Sequence, residues 1–152
     1  MLKRLILFLL LNFGALAVGS LFTADGVTSD WYQGLNKAPW TPPGWVFGSA
    51  WTTIMICFSL FMAFAIKKVS NQIRLVLLFS IQWVLNTLWN PSFFFFHEIL
   101  LGMIIISALT VLIAYMLFSF KSNLGLKSIL LLPYFLWLII ATSLNGYILF
   151  YN

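Results

Sequence analysis

Three carboxamide side chains recur at intervals of four residues within an otherwise apolar segment: Gln82, Asn86 and Asn90. At this spacing the side chains lie on one face of an α-helix, with Trp89 beside them. Carboxamides donate and accept hydrogen bonds without ionising, so this face could bind the carbonyl or carboxylate groups of a ligand. The same stripe could instead hydrogen-bond to neighbouring helices. The spacing alone supports the two interpretations equally.

A second apolar segment carries a stripe that combines aromatic, small and amide side chains. Four side chains again repeat every four residues, and two more lie at the edge of the stripe: Pro133, Trp137, Ala141 and Asn145, then Tyr134 and Leu144. A large ring, a small residue and an amide on one helical face predict a notch that accepts a flat molecule. Close helix packing at Ala141, with Asn145 as a bridge, is the alternative. Because two such faces occur in one chain, we favour a ligand pocket.

The segment Trp31–Trp51 contains four of the seven tryptophans and three of the five prolines, and it lies between two hydrophobic spans. Aromatic rings on a backbone stiffened by proline form a rigid, flat-sided surface. Such a cover suits a large planar ligand better than an ion or a sugar.

Residues for conventional catalysis are scarce. The acidic residues are Asp25, Asp30 and Glu98, and His97 is the single histidine. His97 and Glu98 cannot by themselves supply the three or four protein ligands of a metal site. Too few titratable groups are present for ordinary acid–base hydrolysis. The sequence therefore predicts no metal site and no required cofactor.

The composition indicates an integral membrane protein. Hydrophobic residues make up 62% of the 152 residues and charged residues 7%, against about 25% charged residues in soluble domains. The length accommodates five helical spans of about 20 residues each, so we predict one five-transmembrane-helix bundle over residues 1–152. The predicted spans are Leu5–Phe22, Trp45–Ile66, Ile73–Phe96, Ile99–Phe120 and Ile129–Phe150, with residues 23–44 forming a long first loop.

The net charge of +5 follows the predicted membrane topology. The basic residues that fall on one side of a five-span protein are Lys3, Arg4, Lys67, Lys68, Arg74, Lys121 and Lys127. Lys37 alone falls on the other side. By the positive-inside rule, the N-terminus is cytoplasmic and the C-terminus lies outside. This distribution fits a bacterial cell membrane and argues against nucleic-acid binding.

The first span also has features of a cleavable signal peptide. It begins with Lys3 and Arg4, continues as an apolar run and contains small residues at Ala15 and Ala17. Because the apolar run continues to Phe22, close to the length of a full span, we favour a retained helix. Cleavage would leave the orientation of the other four spans unchanged.

Three motifs, in the same order along the chain, resemble those of the TspO/MBR family of tryptophan-rich sensory proteins, whose animal relatives are the translocator protein or peripheral benzodiazepine receptor. The first motif comprises Trp31-Tyr32, Leu35, Lys37, Pro39, Pro42-Pro43, Trp45, Phe47-Gly48 and Trp51-Thr52. The second comprises Gln82, Leu85-Asn86, Trp89 and Phe93-Phe94. The third comprises Pro133-Tyr134, Trp137, Ala141 and Leu144-Asn145. The resemblance covers nearly the whole chain.

The resemblance implies a five-helix bundle, commonly a homodimer, whose ligand pocket is closed by the first loop. Members of the family bind porphyrins such as protoporphyrin IX, sterols and synthetic benzodiazepine-site drugs. By motif position, the ligand-binding residues are Tyr32, Trp51, Asn86, Trp89, Trp137, Ala141 and Leu144. By the same reasoning, the lid residues are Trp31, Lys37, Pro42, Pro43 and Trp45.

The function implied by the resemblance is that of a membrane receptor or sensor for tetrapyrroles and drug-like ligands, with membrane lipids as further partners. An alternative is light- and oxygen-dependent porphyrin degradation with Trp51 and Trp137 as the catalytic residues, because their rings come from different helices and could flank one ligand. Transport of porphyrin or lipid is a second alternative. The chain departs from the family pattern at Asn90, where Ser or Pro is usual, and at Phe95, where Gly is usual.

Overall fold

The computed structural model describes all residues from Met1 to Asn152 and is built of helices, without β-strands. The five long helices are α1 (Leu2–Gly26), α3 (Gly44–Lys68), α4 (Gln72–Asn90), α5 (Ile99–Ser119) and α7 (Leu132–Tyr151). Two short helices, α2 (Asp30–Gly34) and α6 (Lys121–Leu124), lie in the connections. A π-helical turn covers Pro91–Phe95, and a 3₁₀ segment covers Gly125–Leu131.

Four helical segments are long and apolar enough to cross a membrane: α1, α3, α5 and the segment Lys121–Tyr151, which includes α7. Helix α4 is 19 residues long and is the least apolar of the five long helices. Its polarity comes from the carboxamide stripe, which packing inside the bundle shields from lipid. The all-α membrane architecture predicted from the sequence is confirmed.

Helix boundaries differ from the predicted spans at three places. Helix α1 continues beyond Phe22 to Gly26, so the first loop is shorter than predicted. The third span does not continue as a regular α-helix, because Pro91 has no backbone N–H. The chain passes instead into the π turn, where the Phe96 N–H donates to the Pro91 carbonyl. Helix α7 begins late, with Pro133 in its first turn, where a missing N–H costs no hydrogen bond.

The long helices pack side by side in a closed ring, in the order α1, α3, α7, α5, α4 and back to α1. The connection between α4 and α5 is the tight turn that the short polar break at His97 and Glu98 predicts. His97 adopts the left-handed backbone conformation there, with φ at 58°, which helps the chain to reverse its direction. Because the ring is closed, α1, α3, α4 and α7 all border a common interior.

The two ends of the bundle differ in packing and charge. One end contains a dense apolar core whose fully buried members include Phe58, Phe61, Leu75, Ile113 and Tyr134. Seven of the eight basic residues lie near the helix termini at this end, which we call the basic end. The opposite end, which we call the lid end, carries the three acidic residues and α2. A large cavity replaces the core at the lid end.

Candidate ligand-binding site

A cavity of about 760 Å³ occupies the lid end of the bundle. Its walls come from α1, α3, α4 and α7, and the segment between α1 and α3 covers it. Six of the seven predicted ligand-binding residues line this cavity: Tyr32, Trp51, Asn86, Trp89, Ala141 and Leu144. Two of the predicted lid residues, Lys37 and Pro42, line it as well. These residues are distant in sequence, and the closed ring of helices brings them together.

Trp137, the seventh predicted residue, lies below the main cavity. A helix rises about 1.5 Å per residue, so Trp137 is one turn closer to the basic end than Ala141. Phe47, which lines the main cavity, packs edge-on against Trp137, with ring centroids 5.2 Å apart and planes at 89°. Trp137 instead lines a small adjoining cavity of about 30 Å³, together with Trp51 and Asn86, which also line the main cavity. The structure therefore does not place Trp51 and Trp137 on opposite sides of one large site.

The three carboxamides of α4 have different environments. Gln82 Nε2 donates to the Tyr134 hydroxyl at 2.8 Å within the core. Asn90 Oδ1 accepts a hydrogen bond from Thr23 Oγ1 at 2.7 Å and so ties α4 to α1. Asn86 is only 7% exposed and lines the cavity, and its side chain makes no hydrogen bond within the protein. Gln82 and Asn90 thus bridge helices, whereas Asn86 leaves its donors and acceptor free.

Trp89 is held in position by residues of α5 and α7. Its Nε1–H donates to Asn145 Oδ1 at 3.2 Å, and Asn145 Nδ2 donates to the Ile99 carbonyl at 3.3 Å. The rings of Trp89 and Phe93 stack with centroids 5.4 Å apart and planes 10° apart. Asn145 therefore bridges helices, as in the alternative interpretation of the α7 stripe, and it fixes an indole that lines the cavity.

Helix α2 places Tyr32 at the top of the cavity. The hydroxyl of Ser29 caps this helix by accepting a hydrogen bond from the Tyr32 N–H at 3.2 Å. Lys37 Nζ donates to the carbonyls of Tyr32 and Gln33 at 2.9 and 3.3 Å, which places a positive charge at the negative end of the helix. Burial raises the pKa of the Tyr32 phenol, so its hydroxyl stays neutral and can donate a hydrogen bond.

Aromatic contacts fasten the covering segment to the ends of the long helices. Trp31 stacks on His97, with ring centroids 4.2 Å apart and planes 18° apart. Trp40 Nε1 donates to Ser143 Oγ at 3.2 Å, and its ring packs edge-on against Tyr147. Trp31 therefore holds the lid against the α4–α5 turn, and Trp40 holds it against α7.

Three predicted lid residues do not line the cavity: Trp31, Pro43 and Trp45. Pro43 is the N-cap residue of α3, and Trp45, in the first turn, is 74% exposed. An exposed indole at the end of a membrane-spanning helix is typical of the boundary between lipid and water. The position of Trp45 therefore suits contact with lipid headgroups, whereas Pro42 and Lys37 face the cavity.

The contribution of α1 to the cavity was missed in the sequence. Ala15, Gly19 and Thr23 repeat every four residues and line the cavity. A Cβ atom at Gly19 would lie 2.5 Å from Asn90 Nδ2, so glycine permits the close approach of α1 and α4. The stripe is visible in the sequence, but small residues in membrane helices indicate packing as readily as a pocket.

Residues 6–151 of this sequence match the TspO/MBR family. The chain belongs to the TspO/MBR family. It is 36% identical over 141 residues to the tryptophan-rich protein TspO of Chlorobaculum tepidum, an alignment that covers 88% of this chain and 86% of the relative. It is 31% identical over 127 residues to the tryptophan-rich sensory protein of Cereibacter sphaeroides, covering 84% and 77% of the two chains.

The human translocator protein is 31% identical to this TspO/MBR chain over 137 residues, covering 84% of this chain and 78% of the human protein. The family recognised from the three sequence motifs is therefore confirmed. Family membership and the apolar helices together establish an integral membrane protein and support a receptor-type role.

Proposed function

We propose that this protein is a membrane receptor or sensor that binds a porphyrin-type tetrapyrrole, and drug-like ligands of similar shape, in the cavity at the lid end. The observation that carries the proposal is Asn86, a carboxamide more than nine-tenths buried that lines the cavity without a protein partner. An unpaired buried amide is unfavourable until water or a ligand completes its hydrogen bonds. The cavity volume also suits a drug-sized ligand, since such pockets measure about 300–1,000 Å³.

The aromatic walls of the cavity support a planar ligand. Trp51 and Phe47 line it from α3, and Trp89 and Phe93 line it from α4 and the π turn. Aromatic rings pack favourably against the faces and edges of a macrocycle. Because Trp89 is hydrogen-bonded to Asn145 and stacked on Phe93, its indole is ordered before the ligand binds. Such preorganisation reduces the entropy lost on binding.

Lys37 supplies the positive charge that the propionate groups of a tetrapyrrole require. Its Nζ is hydrogen-bonded to backbone carbonyls at the top of the cavity. The other basic residues lie at the basic end of the bundle. A carboxylate beside Lys37 would form a charge-assisted hydrogen bond, which is stronger than a neutral one. We therefore infer that the propionates point toward the lid.

Light- and oxygen-dependent porphyrin degradation is a second candidate, favoured by the indole of Trp51 on the cavity wall. The excited ligand would take an electron from an indole in contact with it and pass that electron to O2, and the oxidised indole would recover an electron from the ligand, so that O2 is the net oxidant. The protein would hold the reactants together. Trp51 and Trp89 meet the requirement for contact, whereas Trp137 lies behind Phe47. Of the two catalytic tryptophans proposed from the sequence, Trp51 is therefore the better electron donor, and we expect a smaller effect from Trp137.

We also propose that the basic end faces the cytoplasm of a bacterial cell and that the lid faces outward. Seven of the eight basic residues lie at the basic end, and the positive-inside rule places such an end in the cytoplasm. The cavity would then receive its ligand from the outer side of the membrane. A homodimer, implied by resemblance to the family, remains our prediction for the oligomeric state.

Tryptophan quenching by protoporphyrin IX tests the proposed function. Detergent-purified protein is titrated in the dark and then illuminated, and the products are resolved by mass spectrometry. Trp51→Phe and Trp137→Phe separate the two proposed indole roles. Trp83→Phe is the matched control, because Trp83 is on α4 but donates its Nε1–H to the Leu11 carbonyl away from the cavity.

Saturable quenching without a discrete photoproduct would support the receptor or sensor. One discrete product that is lost in Trp51→Phe and retained in Trp83→Phe would support the enzyme. Absence of saturable binding would overturn the porphyrin proposal and leave the family and the fold unchanged.

A further inference from the structure

Arg74 is held in a fixed position on the outer surface between α4 and α5, at the basic end. Its Nη2 donates to the Tyr115 hydroxyl and, at 2.5 Å, to Ser119 Oγ. The guanidinium carbon lies 5.3 Å from the centre of the Tyr115 ring and 5.5 Å from that of Phe120. Tyr115 and Ser119 are four residues apart, so one face of α5 supplies both hydroxyls.

The charge of Arg74 has no counter-ion in the protein. The three acidic residues lie at the lid end, and the groups that Arg74 contacts at its own end are neutral hydroxyls and aromatic rings. Nη1 and Nε of its guanidinium have no partner in the protein. The hydrogens of the Tyr115 and Ser119 hydroxyls also have no acceptor, because both oxygens only accept from Arg74. Several donors therefore converge at one place that lacks an acceptor.

The surroundings of this cluster place it at the edge of the lipid-facing surface. Val76 and Leu77 on α4 are 50% and 57% exposed, and Val111 and Phe118 on α5 are 69% and 68% exposed. These apolar side chains face lipid in a membrane-spanning bundle. Arg74 lies near the start of α4, where the apolar surface ends and the basic helix termini begin. That depth is the depth of the lipid headgroups.

We propose that Arg74, Tyr115 and Ser119 bind the phosphate of an anionic phospholipid, whose acyl chains lie along the exposed apolar side chains of α4 and α5. A guanidinium fork matches the geometry of phosphate oxygens, and the two hydroxyls supply further donors. The surrounding excess of basic residues favours a headgroup with net negative charge over a zwitterionic one. This site is separate from the cavity at the lid end and does not depend on the proposed ligand.

Native mass spectrometry of the full chain in detergent tests the site. The probes are phosphatidylglycerol, phosphatidylcholine with the same acyl chains, and inorganic phosphate. We expect one phosphatidylglycerol to be retained preferentially and Arg74→Gln to weaken that binding about tenfold, the effect of losing a charge-assisted hydrogen bond. Free phosphate, which lacks the acyl chains, should not compete at concentrations comparable to the lipid.

Lys127→Gln is the matched control for net charge at the basic end. Lys127 Nζ lies 4.1 Å from the centre of the Phe64 ring and has no hydroxyl pair beside it. We expect this variant to retain phosphatidylglycerol within about twofold of the wild type, as for an exposed charge. Tyr115→Phe combined with Ser119→Ala keeps all charges and should still weaken binding.

Equal losses in Arg74→Gln and Lys127→Gln would overturn the proposal, because they would indicate diffuse attraction to the whole basic end. Equal retention of phosphatidylcholine and phosphatidylglycerol would also overturn it. Effective competition by inorganic phosphate would overturn the assignment to a lipid, because it would indicate a phosphate site that does not need acyl chains. If Arg74→Gln fails to fold, the hydroxyl double variant and Arg74→Lys give the same comparison, since Lys keeps the charge without the fork.

Discussion

Replacing Asn86 with Leu tests whether this side chain binds the ligand or stabilises the fold. The Asn86 side chain is 7% exposed, lines the cavity and makes no hydrogen bond within the protein. Leu has a similar size, so the substitution removes the carboxamide without opening a large hole. The fold therefore loses no hydrogen bond, whereas a ligand that pairs with Asn86 loses one.

The magnitudes follow from the hydrogen bonds that each change removes. The Asn86 carboxamide faces a cavity large enough for water, so its hydrogen bonds can be completed in the free protein. Removing it should therefore change the free energy of unfolding by less than about 1 kcal/mol. For a chain of this size that corresponds to a change in melting temperature of less than about 2–4 °C. Affinity for a ligand carbonyl or carboxylate should fall about 10–100-fold, since a hydrogen bond to a charged group is worth about 1.5–3 kcal/mol.

Asn145→Leu is the matched control on α7. Asn145 accepts from Trp89 Nε1 at 3.2 Å and donates to the Ile99 carbonyl at 3.3 Å, so its loss leaves an indole N–H and a carbonyl unpaired. A Cβ atom built on Gly102 would already lie 3.2 Å from Asn145 Oδ1, so there is little room to relax. We expect a destabilisation of about 2–3 kcal/mol, which is larger than any effect of Asn86→Leu on the free protein.

Thermal unfolding in detergent without ligand, paired with protoporphyrin IX titration in the dark, measures both effects. If Asn86→Leu lowers the melting temperature as much as Asn145→Leu, then Asn86 is a structural amide and the reasoning is wrong. If Asn86→Leu leaves both the melting temperature and the affinity nearly unchanged, the ligand does not contact Asn86. The two readouts therefore test the structural and functional claims separately.

Three further predictions concern the lid and the helix contacts. Lys37→Ala should weaken the binding of protoporphyrin IX about tenfold more than the binding of its dimethyl ester, because only the diacid pairs with the ammonium group. Equal losses of affinity for the two ligands in fluorescence titrations would show a purely structural role in capping α2. Gly26→Ala should lower the melting temperature, since its Cβ would lie 2.5 Å from Phe94 Cβ. Gly48→Ala is the control and should not lower it, because a Cβ atom there meets nothing within 4 Å. Equal shifts in melting temperature would contradict the close packing at Gly26. Burial raises the pKa of Tyr32, so the neutral phenol contributes stability that is complete below pH about 10 and is lost as pH rises through the higher folded-state pKa. Tyr32→Phe should flatten this part of the profile of melting temperature against pH, and an unchanged slope would refute the assignment.

Local composition and periodicity were sufficient to predict the fold class and the inward-facing sides of two helices. Apolar runs of about 20 residues specify membrane helices because each segment must satisfy its own backbone hydrogen bonds in lipid. Asn86 and Ala141 were assigned to inward faces by their spacing alone, and both line the cavity. Three motifs in the expected order also sufficed to recognise the family. All of these properties depend on residues close together in the chain.

The depth of each residue and its partner across the bundle required the tertiary structure. Trp137 shares a face with Ala141, but the stagger of α7 against α3 places it behind Phe47 and below the main cavity. Gln82 and Asn86 share a face of α4, yet the former hydrogen-bonds to Tyr134 in the core and the latter lines the cavity. Periodicity fixes the direction of a side chain around its own helix. Which helix lies opposite, and at what height, depends on packing between segments far apart in sequence.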